Sequence, residues 1–157
     1  MKRSKKSMPL WFEELKLTMR RVYLLLIGSI FVLTILCHTI LPLEGRQPSK
    51  PIDLESSQVL LSITGLGLCF LSMVFNQWAL KPKRVAMAPL GDQEKTHIIS
   101  TFISTWILAW SCTIAGFSLA FISNQPSEST MFSTISVLII LSHPFTEGRV
   151  KRALNLA

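Results

Sequence analysis

The chain has 157 residues, of which 49% are hydrophobic and 16% are charged, and its formal net charge is +7. Its mean hydropathy is +0.44. The segments between its apolar runs are too short to bury a separate soluble core, which usually takes about 50 residues or more. We therefore expect a single membrane domain over residues 1–157.

Four runs contain no Asp, Glu, Lys or Arg: 22–43, 57–80, 96–127 and 129–146. At a rise of about 1.5 Å per residue, each can cross or nearly cross a bilayer core of about 30 Å. The sequence predicts an all-α membrane protein, a four-transmembrane-helix bundle with a short N-terminal interfacial amphipathic helix. The expected transmembrane helices cover about 22–41, 58–80, 98–122 and 129–143.

The segment 9–21 precedes the first run and has helical apolar spacing. Its apolar stripe consists of Leu10, Trp11, Leu15, Met19 and, at the start of the run, Val22. The charged residues Glu13, Glu14, Lys16 and Arg20 lie outside this stripe, so the segment is expected to lie as a short helix in the cytoplasmic interface. The alternative is a cytoplasmic extension of the first spanning helix.

Small and polar residues form a seam on the second span, at intervals of three and four: Ser62, Gly65, Cys69, Ser72 and Asn76. The third span has a comparable stripe: Thr105, Ala109, Cys112, Gly116 and Ala120. Within lipid, helices gain little from hydrophobic contact with each other, so small residues and hydrogen bonds must hold them together. The two stripes predict a tight antiparallel contact between these spans, or alternatively an oligomer interface.

Two histidines, His97 and His143, are expected at the cytoplasmic ends of the third and fourth spans, where they could be neighbours. A haem or metal pair would need further donors, so we predict an interfacial histidine pair and no metal or cofactor. The three cysteines lie inside spans without C-x-x-C spacing, which is typical of small packing residues in the reduced state. We also find no catalytic constellation.

Trp106 and Trp110 are one helical turn apart and share a face of the third span. Such a face could hold a pigment or quinone ring. We expect lipid contact instead.

Basic residues are distributed unevenly between the runs. Of the 16 Lys and Arg residues, only Arg46 and Lys50 lie between the first and second runs, and none lies between the third and fourth. The positive-inside rule therefore predicts cytoplasmic N- and C-termini and a cytoplasmic 81–95 loop. Attraction to anionic lipid headgroups also accounts for the positive charge, so the sequence indicates membrane lipids and no nucleic acid as partners.

The chain resembles a widespread group of small four-span bacterial membrane proteins over HIISTFISTWILAWSCTIAGFSLAFIS (97–123) and SHPFTEGRVKRALNLA (142–157). The matching points are the apolar stretch around Gly116, then Pro144, Arg149-Val150 and Ala153-Leu154. That group is distantly similar to proteolipid subunit c of rotary ATP synthases and subunit K of the vacuolar type. The resemblance implies close helical packing, self-association and a bacterial inner membrane.

The chain departs from the proteolipid pattern at the ion-binding position. Two turns before Gly116, where the proteolipids carry a carboxylate, this sequence has Trp110, and the span has no Asp or Glu. An indole does not exchange a charge near neutral pH. The resemblance therefore does not extend to ion translocation.

These observations predict a non-enzymatic structural or accessory subunit that packs with itself, as a homo-oligomer, or with larger membrane partners. Its expected cytoplasmic contacts are the basic N-terminus and the basic 81–95 loop. The alternative is a small transporter or channel, whose polar path would use Ser62, Ser72, Asn76, Thr105 and Ser111. A cofactor or lipid binder is a third possibility.

Overall fold

A computed structural model describes residues 10–43, 54–81 and 92–154 of the chain, and these residues form helices and no strand. The helices are α1 (Leu10–Leu43), α2 (Leu54–Ala79), α3 (Asp92–Ser123), α4 (Pro126–Ser142) and α5 (Glu147–Ala153). The all-α prediction is confirmed. The expected contact surfaces at the basic N-terminus and in most of the 81–95 loop lie outside the described residues.

Within the described residues, three helices are long and apolar enough to cross a membrane: Leu10–Leu41, Ser56–Ala79 and Lys95–Ser123. The helix α4 has 17 residues and meets α5 at a bend of 69°, and this bent pair would make a fourth span. The helices thus indicate a membrane location with three or four spans. The four-span bundle stays a prediction.

The N-terminal helix differs from expectation. We expected an interfacial helix over 9–21 apart from the first span, but α1 is one uninterrupted helix of 34 residues. Neither Pro nor Gly occurs between Leu10 and Ile27 to break it. This part of α1 packs on the protein itself, since Met19 of the stripe and Phe12 beside it are buried, although Leu10 of the stripe is exposed. The observed helix agrees with the alternative interpretation, in which this segment extends the first spanning helix.

The turn between α3 and α4 is tight because of its backbone conformation. Asn124 has φ 54, in the left-handed region that Asn tolerates better than most residues. The Gln125 amide donates to the Ala120 carbonyl oxygen at 3.1 Å, as in a Schellman motif. Pro126 is the first residue of α4, a position at which a helix does not use the amide hydrogen. The helix therefore begins three residues earlier than its apolar pattern predicts.

The helix α3 is at the centre of the bundle. Half of its most apolar stretch is buried, compared with 17% for the same measure in α1 and in α2. It packs against α1, α2 and α4, and α4 also contacts α1 and α2. Successive helices run in opposite directions: Ala79 at the end of α2 bonds His97 near the start of α3, while Trp106 bonds His143 beyond the end of α4.

Candidate functional site: a buried polar network at one end of the bundle

Hydrogen bonds join α2 to α3 near one end of the bundle. The Ser72 hydroxyl donates to the Thr105 carbonyl oxygen at 2.9 Å, and the Asn76 amide donates to the Thr105 hydroxyl oxygen at 3.0 Å. Thr105 in turn donates to the Thr101 carbonyl oxygen at 2.8 Å. All four residues are buried. The polar side chains of the seam therefore bond within the chain, where interhelical hydrogen bonds stabilise packing in lipid.

Arg149 of α5 extends this network to a third and a fourth helix. Its guanidinium donates to the Asn76 side-chain oxygen at 3.4 Å and to the carbonyl oxygen of Ser142, the last residue of α4, at 2.6 Å. The guanidinium remains cationic in this partly buried position. One side chain thereby ties α5 to α2 and to the open end of α4. We call these residues the polar network: Ser72, Asn76, Thr101, Thr105 and Arg149.

From the sequence, Arg149 contributed to the charge bias and to the resemblance, and α5 was not predicted. Two signals were present. Asn76 ends the seam with a side chain that needs partners in an apolar environment. Pro144 ends α4, because proline cannot continue a helix, and it turns the chain back toward the bundle.

Two thiols lie at the next level of the seam. The Sγ atoms of Cys69 on α2 and Cys112 on α3 are 2.8 Å apart, and both residues are buried. Cys37, Cys69 and Cys112 are all free and buried.

Two glycines of the seam make room for an aromatic ring of α4. An added Cβ atom at Gly65 would lie 2.6 Å from Phe132 Cε1, and one at Gly116 would overlap Phe132 Cβ. Phe132 is fully buried between α2 and α3. These glycines therefore bring three helices together at one level.

The remaining predicted seam residues are placed differently. Ala109 is fully buried, and Ser62 is only half-buried, beside a surface cleft. Ala120 packs with Cys37 and Leu41 of α1. The α3 stripe advances mostly by four residues, which rotates its last positions away from α2 because a helix has 3.6 residues per turn.

The two histidines at this end are held by separate backbone acceptors. His97 Nε2 donates to the Ala79 carbonyl oxygen at 3.2 Å, and His143 Nδ1 donates to the Ile139 carbonyl oxygen at 2.9 Å. No His97–His143 hydrogen bond is found among the described residues. In that part of the chain no group of three or more His, Cys, Asp or Glu side chains could hold a metal ion.

The expected lipid contact of Trp106 is wrong. Trp106 is fully buried, and its indole nitrogen donates to the His143 carbonyl oxygen at 2.9 Å. Its ring meets Tyr23 of α1 edge to face, with centroids 5.4 Å apart. The half-buried Trp110 donates to the Ser29 hydroxyl oxygen at 2.8 Å. Both indoles therefore fix α3 to its neighbours, where a buried indole usually finds an acceptor.

An aromatic cluster closes the same end of the bundle. Phe145, in the link between α4 and α5, stacks on Phe12 of α1 and meets Phe102 of α3 edge to face, both at 5.2 Å between centroids. Phe12 and Phe102 are fully buried. Since aromatic pairs add to the burial of their area, this cluster holds α1 and the α4–α5 link against α3.

No family model, no curated protein and no solved structure matches this chain.

Proposed function

We propose that the chain is a non-enzymatic integral membrane subunit, structural or accessory, that packs with itself or with larger membrane partners. The observation that carries this proposal is the contrast between the two faces of α2. The seam face carries the polar network and the glycines, and its side chains bond within the chain. The opposite face is apolar and uncovered.

This uncovered face of α2 is an apolar stripe at intervals of three and four. It consists of Leu60, Ile63, Gly67, Phe70 and Val74, all of them exposed. A similar stripe on α1 consists of Leu25, Gly28, Val32 and Ile35. Each stripe includes a glycine whose added Cβ atom would meet nothing within 4 Å. In a membrane these faces can contact lipid tails or a second helix, and a glycine allows another backbone to approach closely.

The distribution of basic residues supports the proposed orientation, with both termini in the cytoplasm, and the proposed bacterial inner membrane rests on this orientation together with the resemblance. Arg20 at the start of α1, Lys81 at the end of α2, Lys95 at the start of α3 and Arg149 in α5 all lie toward the end of the bundle that carries the aromatic cluster. Clustered basic residues favour the cytoplasmic side and its anionic lipids.

Purification in mild detergent followed by native mass spectrometry tests the proposal. We expect a complex heavier than one 17.7 kDa chain, containing either several copies of it or a larger membrane protein. A preparation that contains only the single chain and bound lipid would contradict it.

A small transporter or channel is the second candidate, and a cleft at the other end of the bundle favours it. Ser62 of α2, Ser123 of α3 and Glu128 of α4 line this cleft. The buried Ser123 hydroxyl has no hydrogen-bond partner. Phe132 lies one turn deeper, between Gly65 and Gly116, and separates the cleft from the polar network. A continuous path would need this ring to move.

Flux measurements in liposomes decide between the two functions. Transport by the wild-type chain that is lost in Asn76→Leu would overturn the first proposal. The matched control is Thr64→Val, since Thr64 is exposed on α2 and bonds only the Leu60 carbonyl oxygen of its own helix. The subunit proposal predicts no difference among the wild-type chain, both variants and empty liposomes.

A further inference from the structure

The thiols of Cys69 on α2 and Cys112 on α3 are in direct contact. Their Sγ atoms are 2.8 Å apart, although the residues are separated by 43 positions in the chain. Cys69 is 5% exposed and Cys112 is fully buried. The third cysteine, Cys37, lies in a different cluster with Leu41 and Ala120. The pairing is therefore specific to two of the three thiols.

The surroundings of the pair limit which molecules can reach it. Leu66 and Phe70, which flank Cys69 on the outer surface of α2, are exposed and apolar. Where no second helix covers it, this surface contacts lipid tails in a membrane, so a reactant that approaches from there must be soluble in lipid. Cys69 is the nearer of the two thiols to that phase, while Cys112 lies behind it.

We propose that Cys69 and Cys112 are a modification site at which a lipid hydroperoxide oxidises the two thiols to a disulfide that cross-links α2 to α3. The Cys69 sulfur attacks the terminal peroxide oxygen and the O–O bond breaks. The alkoxide leaves as an alcohol with the thiol proton, and Cys69 becomes a sulfenic acid. The Cys112 sulfur then forms the S–S bond and displaces the hydroxyl group, which leaves as water with the second thiol proton.

The reaction balances without another reactant. Each sulfur loses one electron, and the two electrons reduce the peroxide bond to one alcohol and one water. Because the sulfur atoms already touch, the helices need to approach only slightly for the bond to form. The product fixes the antiparallel α2–α3 contact covalently at the level between the polar network and Phe132.

Thiol counting on the full-length protein in liposomes tests this inference. Cumene hydroperoxide serves as the lipid-soluble probe, and the protein is then denatured, alkylated with a maleimide and weighed by mass spectrometry. The untreated chain has three free cysteines. We expect the oxidised chain to accept one maleimide, on Cys37, and to recover all three after reduction with dithiothreitol.

Two variants provide controls. In Cys37→Ser, oxidation should reduce the number of maleimide adducts from two to none. Cys112→Ser, which leaves Cys69 without its partner, should form no intramolecular disulfide. Retention of all three thiols in the oxidised wild-type chain, a disulfide that includes Cys37, or a disulfide between two chains would each overturn the inference. Circular dichroism of each variant in the same liposomes confirms that the helices are intact.

Discussion

At the scale of single residues, small side chains in this chain have two different uses. Gly65 and Gly116 are covered by Phe132, so the missing Cβ atom makes room for a neighbouring helix. Gly28 and Gly67 face open space. The sequence alone does not separate these two groups, because hydropathy treats all glycines alike. The separation depends on which face of each helix is covered.

Replacing Gly116 by alanine tests the covered group. The new methyl group would overlap the Cβ atom of Phe132, which is fixed to the α4 backbone and cannot swing away. We expect Gly116→Ala to lower the free energy of unfolding by about 1–3 kcal/mol. Gly65→Ala should cost less, since it meets the far edge of the same ring.

The matched control for these two variants is Gly67→Ala. It meets no atom and should be neutral or stabilising, by up to about 1 kcal/mol, since alanine favours a helix over glycine. Unfolding in mixed micelles of mild detergent and sodium dodecyl sulfate measures all three. Equal stability of Gly116→Ala and Gly67→Ala would show that Phe132 does not pack as described.

The polar network makes a second prediction at this scale. Asn76→Leu removes the hydrogen bonds to Thr105 and Arg149. We expect a loss of about 0.6–2 kcal/mol in the free energy of unfolding, the range of hydrogen bonds between membrane helices. Thr64→Val serves as the control because its hydroxyl bonds only its own helix. An equal loss in both variants would contradict an interhelical role for Asn76.

At the scale of elements, the sequence predicts the apolar core of each spanning helix but not its ends. The helix α3 begins at Asp92, six residues before the predicted start, because charged and polar residues can extend a helix beyond the bilayer core. The helix α5 was not predicted, because its seven residues, EGRVKRA, are polar and hydropathy does not detect polar helices. The position of α5 depends on residues distant in sequence: Asn76 bonds Arg149 of α5, and Phe12 holds the link that precedes it.

Phe145→Ala tests how α5 is held. The variant loses the ring contacts to Phe12 and Phe102, so the α4–α5 link should separate from the bundle more often. Trypsin should then cleave α5, which contains Arg149, Lys151 and Arg152, several times faster than in the wild-type protein. Phe31→Ala, at a position that is 56% exposed, should not change the rate. Unchanged cleavage of Phe145→Ala would mean that Arg149 and the buried Val150 and Ala153 hold α5 without the ring contacts.

At the scale of the whole molecule, the polar network and the covered glycines Gly65 and Gly116 face inward, and apolar stripes lie on the outer faces of α1 and α2. The hydropathy pattern predicts this arrangement in outline. It did not predict that α3 is the central helix or that both tryptophans at 106 and 110 bond to neighbouring helices. Those features follow from the order in which the helices pack, which a pattern within one helix does not encode.

The proposed function requires the outer stripes of α1 and α2 to be the surfaces through which the chain joins other membrane helices. Counting the subunits of the complex in lipid nanodiscs tests it most directly, with Gly28→Leu and Gly67→Leu compared with the wild-type chain. Gly148→Leu is the control, because Gly148 is equally open but lies in α5. We predict that the wild-type chain and Gly148→Leu form the same assembly. At least one of the two stripe variants should lose this assembly while its helices remain intact. A monomeric wild-type chain, or the same assembly in all three variants, would contradict the claim.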